Sequence, residues 1–109
     1  MDMFSALAEP ARRDIIELLS QKGELPATDI YDKFSISHPA VSQHLQILHE
    51  AKLVSVEKLA QQRIYRLNPK TISELGRWAK HTIEVWEERF DALDKVLEEE
   101  KKKTHNKKR

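Results

Sequence analysis

From Ile72 to Leu97, apolar or small residues recur at alternating steps of four and three: Ile72, Gly76, Ala79, Ile83, Trp86, Phe90, Leu93 and Leu97. Only an α-helix brings positions so spaced onto one face. This helix opens at Asn68-Pro69 and is predicted to run to about residue 100, more than a quarter of a 109-residue chain. A second stripe, Leu75, Trp78, Thr82 and Val85, runs beside the first. One stripe suffices to dock a helix on its own domain. Two, covering more than half the circumference, predict a helix held between its own body and a partner. Gly76 and Ala79 on the first stripe allow two backbones to approach closely. A single broad face on the chain's own core is the plainer alternative.

The rest of the chain is too short for a second core, so one domain is expected. No stretch approaches the roughly 20 apolar residues that span a bilayer. The start, Met1-Asp2-Met3-Phe4, lacks the basic and apolar regions of a signal peptide. There is no cysteine, hence no disulfide, no thiolate metal site and no cysteine nucleophile. These features predict a soluble, cytoplasmic domain with no membrane partner.

The net charge of +1 averages unlike segments. Residues 1–36 carry four basic and seven acidic side chains; residues 37–70 carry five and two; residues 71–100 carry four and nine. The last nine residues carry six positive charges and no acid. An acidic body thus encloses one basic segment and ends in a basic tail. Such localised positive charge is suited to a polyanion-binding face.

Upstream of the long helix, periodicity predicts more helices. Phe4, Leu7 and Ala8 mark a short one ending at Glu9. Pro10 then opens a second helix, where its missing N–H costs nothing. It carries Ile15, Ile16, Leu18 and Leu19, and stops at Lys22-Gly23 with glycine as cap. A third spans about Pro26 to Phe34. After the tight turn Ser35-Ile36-Ser37, Ser37 is a good N-cap, with Pro39 in the first turn. The fourth helix buries Val41, Leu45 and Leu48, shows His38, Ser42, Gln43 and Gln46 on the other face, and ends near Ala51-Lys52. The pattern then alternates over Leu53–Leu59 and Arg63–Leu67. Joined by Ala60-Gln61-Gln62, these read as a two-stranded hairpin, with Tyr65 and Leu67 on one face.

Helix, short turn, capped helix, hairpin is the order of a winged helix-turn-helix, whose second helix enters the DNA major groove. The fold predicted is mainly α with a small β-hairpin and a long C-terminal dimerisation helix. Gln43 and Gln46 can pair bidentately with adenine, Ser42 can donate or accept, and Ala40 is small enough to meet a thymine methyl. Lys52, Lys58, Arg63, Arg66 and Lys70 follow along the hairpin, where phosphates would lie.

These residues resemble the ArsR/SmtB-type bacterial winged-helix repressors, from about Phe4 to Leu67. The resemblance is carried by Phe4-Ser-Ala-Leu-Ala-Glu-Pro-Ala-Arg-Arg-Asp-Ile-Ile-Glu-Leu-Leu, by Ser37-His-Pro-Ala-Val-Ser-Gln-His-Leu-Gln-Ile-Leu, and by Ala51-Lys-Leu-Val. It implies a homodimer on double-stranded operator DNA, paired through the first and last helices. It also implies that His38, Ser42, Gln43 and His44 lie on the DNA face. The candidate base-reading set is His38, Ala40, Ser42, Gln43 and Gln46. The backbone set is Ser37, His44, Lys58, Gln61, Gln62 and Arg63. The dimer set is Phe4, Leu7, Ile72, Gly76, Ala79, Ile83, Trp86, Phe90 and Leu93. The implied domain covers residues 1–100, with the helix-turn-helix at about 26–51, the wing at about 53–67 and the dimerisation helix at about 69–100. Residues 101–109 are expected to form a disordered basic tail.

Two departures from the family pattern matter. The hairpin turn of such repressors holds Gly-Arg, where this chain has Ala60-Gln61; Arg63 lies close enough to replace the arginine. Their metal sensors carry two cysteines in a segment matching Glu24–Ile30 here, and both are missing. A second family site, on the last helix, falls on Pro69, Thr71, Thr82 and Val85, none of them a ligand. The Trp-bearing last helix resembles a cysteine-free subgroup, so no metal and no cofactor are expected. A small-molecule effector of unknown identity is left open. His81 and Glu84 have a spacing that can serve zinc, which leaves a metal-responsive repressor as one alternative. A dimeric protein-interaction module is another. No nucleophile–base pair and no glycine-rich phosphate loop is present, so an enzyme is not expected.

Overall fold

A computed structural model describes residues 1–107. The chain divides into two parts, Met1–Leu75 and the remainder from Gly76 onward. The first part holds four helices, α1 (Met3–Ala6), α2 (Pro10–Lys22), α3 (Ala27–Asp32) and α4 (His38–Glu50). It also holds three strands, β1 (Glu24–Pro26), β2 (Val54–Leu59) and β3 (Gln62–Leu67). Helix α5 (Pro69–Lys107) begins there and makes up the described residues of the second part.

The helices start where local chemistry favours it. Asp2 Oδ1 accepts the Ser5 N–H at 2.7 Å, and this bond holds the Asp2 carboxyl below its ordinary range. Pro10 stands in the first turn of α2, and Asn68 Oδ1 accepts the Lys70 N–H at the start of α5. Helix α2 ends on Gly23, whose φ of 85° suits a residue without Cβ, and whose N–H donates to the Leu19 carbonyl at 2.8 Å. Helix α1 ends at Ala6 rather than the expected Glu9, and α3 is shorter than the Pro26–Phe34 expected.

Ile15 and Leu19 of α2, Ile30 of α3, and Val41, Leu45 and Leu48 of α4 converge with Ala6, Leu53, Val54 and Tyr65 in one core. The i, i+4, i+7 stripe of α4 is almost fully buried, at 1% exposure or less. Ile72 packs against this core, which ties the first turn of α5 to the body.

The sheet has three strands in the order β1-β3-β2, all antiparallel. The hairpin expected from alternation therefore gains a strand, Glu24–Pro26, aligned with Arg66, Tyr65 and Ile64. Three residues ending in proline leave no alternation to read, and proline is tolerated because β1 is an edge strand. Tyr65 is buried and Leu67 half-buried on the expected face, but Ile64 is buried too. Arg66 meets Glu24 and Glu57 across the neighbouring strands, 2.9 Å from each.

Gln62 belongs to β3, so the wing turn is the two-residue Ala60-Gln61. Ala60 has φ 55°, and Lys52 at the α4–β2 junction has φ 64°. A left-handed backbone costs a residue with a Cβ about 1–2 kcal/mol, partly offset by its smaller unfolded-state entropy relative to glycine. Ala60→Gly and Lys52→Gly, both at exposed positions, should each therefore add about 0.5–1 kcal/mol to stability. Urea denaturation measures this; a lower midpoint for both would contradict the strain.

From Trp78 to Lys101, every α5 side chain except half-buried Ala79 is exposed. Leu7 and Ile72, expected at a dimer interface, are half-buried against the chain's own core. Helix α5 continues past the expected boundary at residue 100 to Lys107. The rest of the expectation of a disordered basic tail falls on residues outside those described. Among the described residues, no helix is long and apolar enough to cross a membrane.

Candidate nucleic-acid interface

Helix α4 is positioned by its buried stripe, which fixes which side chains point outward. Ser37 caps it, its Oγ accepting the Ala40 N–H at 3.3 Å. On the outer face Ser42, Gln43 and Gln46 are exposed, and Ala40 is half-buried. His38 stacks on Tyr31 of α3, with ring centroids 4.9 Å apart and planes 19° from parallel. Its ring plane is thereby oriented before any ligand arrives. Gln46 donates from Nε2 to Glu50 Oε1 at 3.2 Å, a solvent-exposed bond that base contact can replace.

Between α4 and the wing lies a cleft of about 420 Å³, lined by Ser42, Gln46 and His49 on one side and by Val56, Lys58, Arg63 and Tyr65 on the other. Residues predicted separately as base-reading (Ser42, Gln46) and backbone-contacting (Lys58, Arg63) thus share one surface. Arg63 also borders a smaller hollow of about 210 Å³ with Gln61, Gln62 and the segment Pro26, Ala27 and Thr28. Gln43 stands outside the cleft, on the exposed side of α4. His44 is half-buried, with Nδ1 3.2 Å from Nη1 of Arg12.

Sequence reasoning missed His49 and Tyr65. For His49 a signal existed: Ser42, Gln46 and His49 are at i, i+4 and i+7, so they share a face. Arg66 was placed among the phosphate-facing cations, but its guanidinium serves the two carboxylates of Glu24 and Glu57. Lys58 and Arg63 form no salt bridge among the described residues. The exposed His81 and Glu84 of α5 join no cluster of three or more metal-ligating side chains among the described residues.

A capped helix with an outward polar face, set beside a β-hairpin bearing unpaired cations, defines a winged helix-turn-helix DNA-binding module. Comparison with known proteins carries this to a family. A family model described as a helix-turn-helix domain matches residues 7–57. The chain is 36% identical over 82 residues to the transcriptional repressor SdpR of Bacillus subtilis, covering 75% of this chain and 90% of that protein. It is 34% identical over 87 residues to the arsenical resistance operon repressor of Escherichia coli, covering 79% and 71%. Among solved structures, HlyU from Vibrio cholerae aligns with a TM-score of 0.58 at 30% identity, over 70% of this chain and 86% of that one. The fold also matches an ArsR-like transcriptional regulator from Rhodococcus sp. RHA1, with a TM-score of 0.74 at 22% identity over 85% and 87%. The chain belongs to the ArsR/SmtB family of winged helix-turn-helix transcriptional repressors. It is a DNA-binding regulator and not an enzyme.

Proposed function

We propose that two copies of this chain pair through their first and last helices and hold two α4 helices against one face of a duplex. The operator would be pseudo-palindromic, with half-sites about 34 Å apart, one helical turn. Occupying it would cover a promoter in the cytoplasm and repress transcription. The observation that carries this reading is the α4–wing cleft, which gathers Ser42 and Gln46 with Lys58 and Arg63.

Base readout belongs to His38, Ala40, Ser42, Gln43 and Gln46. Backbone contact belongs to Ser37, His44, Lys58, Gln61, Gln62 and Arg63. The wing turn supplies Gln61 where the family pattern has arginine, so Arg63 carries the phosphate charge there. Pairing of copies is supported by the exposure of Ile83, Trp86, Phe90 and Leu93, each more than half exposed. At Gly76 an added Cβ would meet nothing within 4 Å, so among the described residues nothing requires glycine there. In a helix interior glycine costs about 1 kcal/mol relative to alanine, a cost that close approach of a second helix would offset. With no thiolate in the chain, release from DNA does not run through a cysteine-bound metal.

Operator sequences selected from random duplexes, followed by titrations across salt, test the contact map. Gln43→Ala should lose about 1–3 kcal/mol of discrimination at one base pair. Arg63→Ala should weaken all sequences about equally and reduce the slope of log K against log salt by about one. If both variants bound the selected duplex as the parent chain does, the map would be wrong. Affinity that ignored salt between about 50 and 200 mM would favour a protein partner instead.

A further inference from the structure

We infer that Arg12 is a positioning residue: it holds the His44 imidazole so that Nε2–H is presented to a DNA phosphate oxygen. This rests on the DNA-binding reading above and assigns a second residue, remote in sequence, to the same surface. Arg12 lies in the first turn of α2, 32 residues before His44. Its Nε–H donates to the Ala6 carbonyl at 2.6 Å, and Nη2 reaches the Ser5 carbonyl at 3.5 Å. These carbonyls belong to α1, at the end of which the later ones run out of i+4 donors; that of Ser5 also accepts the Ala8 N–H at 3.2 Å. With the Nε–Nη2 edge of the guanidinium so engaged, Nη1 stands 3.2 Å from His44 Nδ1 on α4.

The chemistry of that last contact is one-sided. A guanidinium has five N–H donors and no acceptor, and it stays protonated. The Arg12–His44 hydrogen bond therefore requires Nδ1 to be the acceptor, with a bare lone pair. A neutral imidazole with bare Nδ1 carries its proton on Nε2. Among the described residues Nε2 makes no hydrogen bond, and no buried side-chain nitrogen or oxygen lacks a partner. Nε2 of this half-buried ring is thus open to solvent, on the helix that carries Ser42, Gln43 and Gln46. An N–H donor there recognises an acceptor oxygen, and a phosphodiester supplies one. Because the neutral ring adds no charge, such a contact orients α4 without releasing a counterion.

The geometry further implies that α1, through its Ser5 and Ala6 carbonyls, sets the ring's orientation. Arg13 reinforces the arrangement, donating from Nη1 to the carbonyls of Leu7 and Ala8 at 2.7 and 3.2 Å. The α1–α2 corner is thereby braced by two consecutive arginines, of which only Arg12 reaches the recognition helix.

Two measurements on the full chain test this. The first, long-range proton–nitrogen NMR of the histidine side chains without DNA in mildly alkaline buffer, should show His44 as the Nε2–H tautomer. In Arg12→Gln that preference should relax toward a mixture. A predominant Nδ1–H form in the parent chain would overturn the proposal, whatever the protein binds. The second is affinity for a selected duplex across salt. His44→Phe should weaken binding by about three- to tenfold, the size of one hydrogen bond, with an unchanged salt slope. Arg12→Gln should weaken it by a similar factor, and the double variant should be no worse than His44→Phe alone. Independent, additive losses would overturn the positioning role, as would a slope that fell by one in His44→Phe. If Arg12→Gln proves unfolded by circular dichroism, the parent tautomer and the His44→Phe titration still decide. If the chain bound no duplex while the tautomer stood, the fault would lie with the DNA reading and not with the Arg12–His44 contact.

Discussion

Trp86→Asp is expected to halve the mass of the protein in sedimentation and to weaken operator binding by about 10²–10⁴-fold. The first effect follows from the proposed pairing through α5. Trp86 is 66% exposed in the single chain and forms, with the likewise exposed Phe90 at a centroid distance of 6.3 Å, an aromatic platform. With Arg89, Ala92, Leu93 and Val96 it lines an apolar hollow of about 470 Å³. A carboxylate buried against a second such surface would lose its hydration without a partner. The second effect is one of linkage. Joining two half-site binders raises the overall affinity by about 10²–10⁴-fold without any new contact, and a monomer forfeits that gain. Folding should survive, because the core lies within Met1–Leu75. An unchanged mass would remove Trp86 from the interface.

Leu45→Ala should instead act on the fold, lowering stability by about 2–5 kcal/mol, as large-to-small core substitutions do. Leu45 is 1% exposed and lies midway along the stripe of α4, between Val41 and Leu48, so its removal leaves a cavity beneath the recognition helix. A domain of this size has about 5–15 kcal/mol in total, so the variant should be partly unfolded on mild warming. The urea midpoint should fall with little change in slope. A shift worth less than about 1 kcal/mol would mean that α4 is not anchored through this side chain. The paired control is Gln43→Ala, two residues away on the exposed face. It should leave stability within about 0.5 kcal/mol while changing DNA discrimination. Opposite outcomes at two positions of one helix separate its structural face from its reading face.

Much of this was legible before any coordinates. Ser37 and Pro39 announced the start of α4, and the spacing of Val41, Leu45 and Leu48 announced which face would be buried. Ser42, Gln43 and Gln46 then had to face outward, because a 3.6-residue period leaves no choice once one stripe is fixed. Alternation announced β2 and β3. It could not announce β1, because Glu24-Leu25-Pro26 acquires its strand character from pairing with β3 rather than from its own pattern. Ala60-Gln61 gave no glycine signal for a turn; its left-handed residue is visible only in the backbone.

The family membership, the polar outer face of α4 and the absence of thiolate ligands were written in residue identities and short spacings. Those are local properties, and a chain of known sequence carries them into any environment. Which charges remain for DNA was a tertiary matter. Arg66 and Arg63 are three residues apart on one strand, yet cross-strand register gives Arg66 two carboxylates at 2.9 Å and leaves Arg63 in the cleft. The same holds for Arg12 and His44, joined at 3.2 Å across 32 residues. Coulombic and hydrogen-bond energies depend on distance in space, and only the folded backbone converts separation along the chain into that distance.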